Sequence, residues 1–120
     1  MPAESRRSGI ETQLILSRML TLRDIADDAE RLRRRHGWPT KSPEERFLSL
    51  VAELGELAES VSALTTAGSV PERSLETVRE QVGAEMYDVI WNVCDLATLL
   101  GVDLEAAASA KREFNETREW

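Results

Sequence analysis

Residues 47–64, FLSLVAELGELAESVSAL, are the stretch that decides the fold. Apolar residues recur in it every three or four positions, the spacing of one face of an amphipathic α-helix. Ser42 and Pro43 precede it as a helix cap and a first helical residue, with Glu45 three residues after the cap. We therefore predict a helix that begins near Pro43 and stops around Thr65–Gly68. Its apolar stripe consists of Phe47, Leu50, Val51, Leu54, Leu57, Ala58, Val61 and Leu64.

The same periodicity marks three further helices. A first helix is predicted from Ile10 to near His36. A third opens near Val70 and continues to Leu100, where Gly101 follows in the position past a helix end that favours glycine. The last helix runs from about Asp103 towards the end of the chain. Because no segment alternates with period two, we predict an all-α four-helix bundle.

Composition narrows the classes of function. The chain has 120 residues, with 22 Asp and Glu against 15 Lys and Arg and a formal net charge of −7. We expect one domain over 10–120, preceded by a flexible polar arm at 1–9. The acidic surface disfavours nucleic acid polymers as partners. Cys94 is the only cysteine and no apolar run approaches a bilayer span, so we predict a cytoplasmic protein with no membrane partner.

Two pairs of carboxylates are spaced i,i+3 on neighbouring helices. Glu53 and Glu56 lie in ELGE, and Glu85 and Asp88 lie in EMYD. This spacing puts both side chains of a pair on one helix face, beside the apolar stripe. Partial burial of four acids raises their pKa values by mutual repulsion unless a cation is bound. Because Mg2+ prefers oxygen ligands, two such helices side by side predict a magnesium site, and a solvated acidic face is the alternative.

Other polar and aromatic side chains are candidates for contacts with a phosphorylated ligand. Lys111, Asn115 and Arg118 share one face of the last helix and could place donors over an anionic group. The alternative for these cations is an ordinary helix end, where the helix dipole favours them. Trp38, in the loop before the acidic helix, could stack on a nucleobase or plug the end of the bundle. Lys41 in the same loop could contact a phosphate or a base, or be solvated.

The ordered set of motifs resembles the MazG-like family of all-α NTP pyrophosphohydrolases, which includes dimeric dUTPases and dCTP pyrophosphatases. The resemblance covers roughly residues 38–118 and rests on ExxE followed by ExxD on the next helix. It implies a hydrolase that cleaves a (d)NTP to a (d)NMP and pyrophosphate, with Mg2+ as cofactor and Mn2+ able to substitute. The implied role is to remove non-standard or surplus nucleotides. The motifs that carry it are Trp38, Glu53, Glu56, Glu85, DVIW from Asp88, the Gly-Val-Asp-Leu break at 101–104, Lys111, Asn115 and Arg118.

Roles follow from the resemblance residue by residue. The metal ligands are Glu53, Glu56, Glu85 and Asp88. Either Glu53 or Glu56 is expected to act as the general base on the attacking water. The substrate-binding residues that the resemblance implies are Trp38, Lys111, Asn115 and Arg118. Lys41 is a further candidate from its place in the loop, and Asn92 is another because it lies one turn beyond Asp88 on the same face. Many relatives carry an aromatic residue at the position of Asn92, so the sequence departs from the family there.

Oligomerisation is expected to complete the core. Four short helices in 120 residues leave exposed apolar faces, notably Leu14, Leu16 and Leu20 around the first helix, so we predict a homodimer or homotetramer.

The alternative function is a non-catalytic helical oligomerisation or interaction module in which the acids are surface charge. A carboxylate-bridged di-iron bundle would need ExxH motifs on two helices, and the single histidine, His36, lies in none.

Overall fold

The structure, a computed structural model, describes residues 9–11, 13–14, 19–66, 68, 71 and 74–120. Helical residues lie at 9–11 and 13–14, ahead of four helices with defined bounds. Within these described ranges there is no strand, which confirms the all-α prediction. No helix among them is both long and apolar enough to cross a bilayer. The four bounded helices are α1 (Leu22–His36), α2 (Pro43–Thr65), α3 (Leu75–Leu99) and α4 (Leu104–Thr117).

The predicted first helix is divided in the structure. Residues 19–21 are not helical, and Thr21 caps the start of α1. The Thr21 hydroxyl accepts a hydrogen bond from the Asp24 backbone N–H at 3.1 Å, and the Asp24 carboxylate accepts one from the Thr21 N–H at 3.0 Å. This reciprocal cap satisfies backbone donors that a helix start leaves unpaired. A continuous helix from Ile10 is therefore wrong, and the described residues hold five helical segments where the sequence predicted four.

Local sequence sets the other helix ends. Ser42 caps α2 by accepting a hydrogen bond from a backbone N–H of its first turn, as predicted. Gly101 follows α3 with φ 68°, a left-handed conformation that costs glycine little. Asp103 caps α4 in the same way as Ser42 caps α2. α3 begins later than predicted, since Pro71 is not helical, and the residues on either side of Pro71 lie outside the described ones.

The neighbouring helices α2 and α3 are antiparallel. They share the most extensive interface in the described chain, and α1 packs on α3. Arg46 near the start of α2 contacts Asn92 late in α3, whereas Glu53 further along α2 interacts with Glu85 and Asp88 earlier in α3. Residues later in α2 therefore meet residues earlier in α3, so the two helices run in opposite directions. This register brings the two acidic motifs to the same level of the helix pair.

A single chain buries little apolar surface. α4 has no buried residue, and its main contacts are with α1. The Cα radius of gyration is 18.1 Å, against about 13.6 Å for a compact domain of this length. Leu14 and Leu20 are both exposed, as expected, whereas Leu16 lies outside the described residues. Of the predicted polar arm, residues 1–8 also lie outside them, and Gly9 is helical. Among the described residues, the buried apolar side chains are Ile25, Ala29, Val82, Cys94 and Ala97.

Candidate functional site

A cavity of about 520 Å3 lies between α2, α3, the end of α1 and the loop that follows α1. Its volume is in the range of small-molecule sites. Five residues singled out from the sequence line it together, although they come from three separate segments of the chain. They are Trp38, Lys41, Glu53, Asp88 and Asn92. The wall is completed by Leu32, Arg46, Ser49, Ala52, Tyr87 and Trp91.

One side of this cavity borders the acid cluster, which consists of Glu53, Glu56, Glu85 and Asp88. Burial raises the pKa of Glu53, and the negative charges of Glu56, Asp88 and Glu85 and a hydrogen bond with Glu56 raise it further. The Oε2 atoms of Glu53 and Glu85 are buried and have no hydrogen-bond partner among the described residues. Burying such oxygens unpaired is unfavourable, so the cluster has the chemistry of a site that takes up a cation.

The fit of this cluster to Mg2+ rests on its donor atoms. All four side chains offer carboxylate oxygens, the ligands that Mg2+ prefers. As the side chains stand, no group of three or more His, Cys, Asp or Glu residues in the described part of the chain is arranged to hold a metal ion. The two buried, unpartnered oxygens nevertheless suit a divalent cation. Glu53, Glu56, Glu85 and Asp88 therefore stay a predicted ligand set that needs side-chain movement to close around a metal.

A second group of charges, the Asp95 triad, consists of Asp95, Arg33 and Arg46. Asp95 is 1% exposed, and each of its oxygens meets a different arginine. Arg33 Nη2 on α1 donates to Oδ1 at 2.5 Å. Arg46 Nε on α2 lies 2.7 Å from Oδ2, an ion-pair contact outside the angular limits of a hydrogen bond. The triad joins three helices and leaves one net positive charge beside the cavity.

Asn92 connects the triad to the acid-bearing helix α3. Its Oδ1 accepts a hydrogen bond from Arg46 Nη1 at 3.0 Å, and its Nδ2 donates to the Asp88 backbone carbonyl at 2.8 Å. These contacts fix the orientation of the amide. The Arg46 guanidinium also lies over the Trp91 ring, 5.0 Å from its centroid. Asn92 stays a predicted substrate-binding residue, since it lines the cavity, and its contacts also hold Arg46 in place.

Trp38 and Lys41 line the same cavity as Glu53 and Asp88. The Trp38 ring stacks on His36 with centroids 4.8 Å apart and is half exposed. Lys41 Nζ donates to Ser49 Oγ at 2.8 Å, which holds the ammonium group against α2. Burial, and after it the charge of Asp28, raises the pKa of the Tyr87 phenol, which therefore remains a donor at neutral pH. The lining of the cavity thus combines aromatic and donor side chains with carboxylates.

The predicted trio on α4 is not part of this cavity. Lys111, Asn115 and Arg118 are absent from its lining, and α4 makes its main contacts with α1. Lys111 Nζ lies over the Phe114 ring at 4.8 Å. Arg118 lies over the Trp120 ring at 3.3 Å. Within one chain the structure does not bring these side chains to the acid cluster.

Arg46 is the main cavity residue that the sequence reasoning missed. It precedes Glu53 by seven residues, or two helical turns, so both lie on the same face of α2. Asp95 follows Asp88 by seven residues on α3 in the same way. That spacing was readable in the sequence, but the pairing of Arg46 with Asp95 depends on how two helices align.

The fold and this cavity define a small all-helical protein with clustered carboxylates on an antiparallel helix pair. No family model matches the sequence. A search of curated proteins finds the uncharacterized protein YvdC of Bacillus subtilis (strain 168), 35% identical over 82 residues that cover 66% of this chain and 77% of YvdC. The chain belongs to the family of YvdC.

Proposed function

We propose that this protein is a Mg2+-dependent nucleoside triphosphate pyrophosphohydrolase of the MazG-like type, acting in the cytoplasm on free nucleotides. The reaction would convert a (d)NTP to a (d)NMP and pyrophosphate. One observation carries the proposal: Glu53 and Asp88 line the same cavity as Trp38 and Lys41. A nucleotide needs these two environments side by side, one for a metal-bound polyphosphate and one for a planar base.

The acid cluster supports the phosphate end of this arrangement. Mg2+, when bound there, would neutralise the polyphosphate and activate the attacking water. Glu53 is the better candidate for general base, because it lines the cavity whereas Glu56 does not. A hydrogen bond with Glu56 holds the carboxyl group of Glu53 in place.

A homodimer or homotetramer is part of the proposal. The exposed apolar side chains, the extended shape and the unburied helix α4 all support an assembly in which a second copy covers these surfaces. Such an assembly could also bring Lys111, Asn115 and Arg118 of one copy towards the phosphates bound by another. Light scattering at micromolar concentration tests the assembly, and a strictly monomeric protein would contradict it.

The test of the activity is pyrophosphate release from a panel of canonical and modified nucleoside triphosphates. We expect release with Mg2+, none after chelation by EDTA, and recovery when Mg2+ is restored. The Asp88→Asn variant should be inactive, whereas Glu80→Gln, which changes an exposed acid elsewhere on α3, should retain activity. A folded protein that releases no pyrophosphate from any nucleotide would refute the proposal.

A helical interaction module is the second candidate, favoured by the exposed apolar surface. One such patch includes Phe47, Leu48 and Leu100, which line a separate apolar cavity of about 410 Å3. This reading requires no metal. Stabilisation of the fold by Mg2+ or Mn2+ supports the enzyme, and unchanged stability supports the module.

A further inference from the structure

A smaller cavity of about 320 Å3 opens beside the acid-lined one. The two cavities share the four residues Trp38, Lys41, Arg46 and Trp91, so they are adjoining parts of one space. The smaller one is further from the acids, since neither Glu53 nor Asp88 lines it. We call it the donor pocket. Its lining consists of Arg33, Trp38, Pro39, Lys41, Arg46 and Trp91.

The walls of the donor pocket suit a flat, aromatic ligand. His36 stacks on the Trp38 ring, with 21° between the ring planes, and Trp38 lines both cavities, so part of its surface faces the space that a ligand would fill. Trp91 is held beneath the Arg46 guanidinium. Two indoles with fixed neighbours lose little freedom when a ring binds between or beside them, which favours binding of a nucleobase.

The polar side chains of the donor pocket are all hydrogen-bond donors. Arg33, Lys41 and Arg46 carry N–H groups and no acceptor. Nearby acceptors are already engaged: both Asp95 oxygens contact arginines, and Asn92 Oδ1 accepts from Arg46. Among the described residues, the side chains that line the pocket therefore offer donors and positive charge to a ligand, and no oxygen acceptor.

We infer that the donor pocket binds the oxo edge of a nucleobase and selects 6-oxopurines and 4-oxopyrimidines over their amino counterparts. A carbonyl oxygen at that position accepts hydrogen bonds from Lys41 and Arg46, as guanine O6 accepts from Lys and Arg in nucleic acid recognition. An amino group there points N–H donors at cationic donors and finds no partner. This inference rests on the proposed function, for which it names the class of base.

Two matched pairs of nucleotides compare the oxo edge with the amino edge, which differ in the exocyclic group and in the proton on the adjacent ring nitrogen. Inosine and adenosine nucleotides differ at position 6 of the purine, and uridine and cytidine nucleotides differ at position 4 of the pyrimidine. The monophosphates IMP, AMP, UMP and CMP are titrated into the full chain with Mg2+ by calorimetry, because they cannot undergo the proposed hydrolysis. We expect IMP and UMP to bind at least about fivefold more tightly than AMP and CMP, the lower range for one good base contact.

Variants test whether the donors cause the preference. Lys41→Met should reduce the binding ratio to within about twofold, and Lys41→Arg should retain it because a donor remains. Arg79→Met removes an exposed cation on α3 that lines neither cavity, so it should leave the ratio unchanged. A wild-type ratio within about twofold, a preference for the amino bases, or an unchanged ratio in Lys41→Met would overturn the assignment.

The same pairs as triphosphates separate this inference from the proposed function. Pyrophosphate release from ITP and UTP at rates well above those from ATP and CTP supports both. Preferential binding of IMP and UMP without release from any triphosphate keeps the donor pocket and refutes the hydrolase. Release with no difference between ITP and ATP or between UTP and CTP keeps the hydrolase and overturns the donor pocket.

Discussion

The acid cluster lies on the antiparallel pair of α2 and α3, and the Asp95 triad joins this pair to α1. The buried negative charges of the two groups are partnered in opposite ways. Asp95 is almost fully buried, and each of its oxygens is matched by an arginine of the same chain. Glu53 and Glu85 each bury an oxygen for which the described chain supplies no donor. The contrast supports the proposal that a cation from outside the protein completes the acid cluster.

The largest effect is expected from breaking the acid cluster itself. Glu56→Gln and Asp88→Asn each remove a predicted metal ligand with little change in side-chain volume. We expect hydrolysis to fall by about a thousandfold or more, equivalent to about 4 kcal/mol of transition-state stabilisation. Steady-state kinetics measure the loss, and circular dichroism checks that the fold is intact. Near wild-type rates in both variants would remove these residues from the site.

Disrupting the Asp95 triad should lower the free energy of unfolding rather than the rate of hydrolysis. Asp95→Asn leaves Arg33 and Arg46 without their shared counter-ion, and such losses cost roughly 3–5 kcal/mol. Urea unfolding measures the change. The exposed ion pair between Arg79 and Glu76 is the matched control, since Glu76→Gln should change stability by no more than about 0.5 kcal/mol. Equal effects of the two substitutions would show that the triad is not a structural element.

Mg2+ should stabilise the wild-type fold through the acid cluster. At a concentration one hundred times its dissociation constant, a ligand that binds only the folded state adds about 2.7 kcal/mol. We expect a shift of this order in the unfolding free energy of the wild type and none in Asp88→Asn. Glu80→Gln should respond as the wild type does. A shift that persists in Asp88→Asn would place the metal elsewhere.

The smallest effect concerns pH in the absence of metal. The folded-state pKa of Glu53 is raised, so the folded chain holds its proton more tightly than the unfolded chain does. The stability that this proton contributes is present below the ordinary pKa of 4.5 and is lost as the pH rises through the raised value. Glu53→Gln should flatten this decline, and added Mg2+ should reverse it. The contradictory result, measured without metal, has two parts. The unfolding free energy of the wild type would rise with pH in this range, and that of Glu53→Gln would fall.

Local signals in the sequence predicted most of the helices. The N-terminal starts of α2 and α4 are set by Ser42 and Asp103. Each side chain accepts a hydrogen bond from a backbone N–H in the first turn of the helix that it precedes. The break before α1 has an equally local cause in Thr21 and Asp24, but the apolar periodicity across it masked the cap. Short-range chemistry therefore specifies these boundaries, including the one that was predicted wrongly.

The candidate site was only partly predictable, because it depends on which helices meet. The i,i+3 spacing of the acids predicted two charged faces, and the register of α2 against α3 brings Glu53 to Glu85 and Asp88. The roles of Arg33 and Arg46 depend on a contact with Asp95, which lies on a third helix. Spacing within one helix carries no information about such contacts. For the same reason the sequence could not place the α4 trio relative to the acids.

Direct titration with Mn2+, followed by electron paramagnetic resonance of the free ion, tests the central claim that an external cation completes the acid cluster. The account predicts saturable binding by the wild type, competition by Mg2+, and loss of that binding in Asp88→Asn but not in Glu80→Gln. Wild-type binding no tighter than that of Asp88→Asn would contradict it.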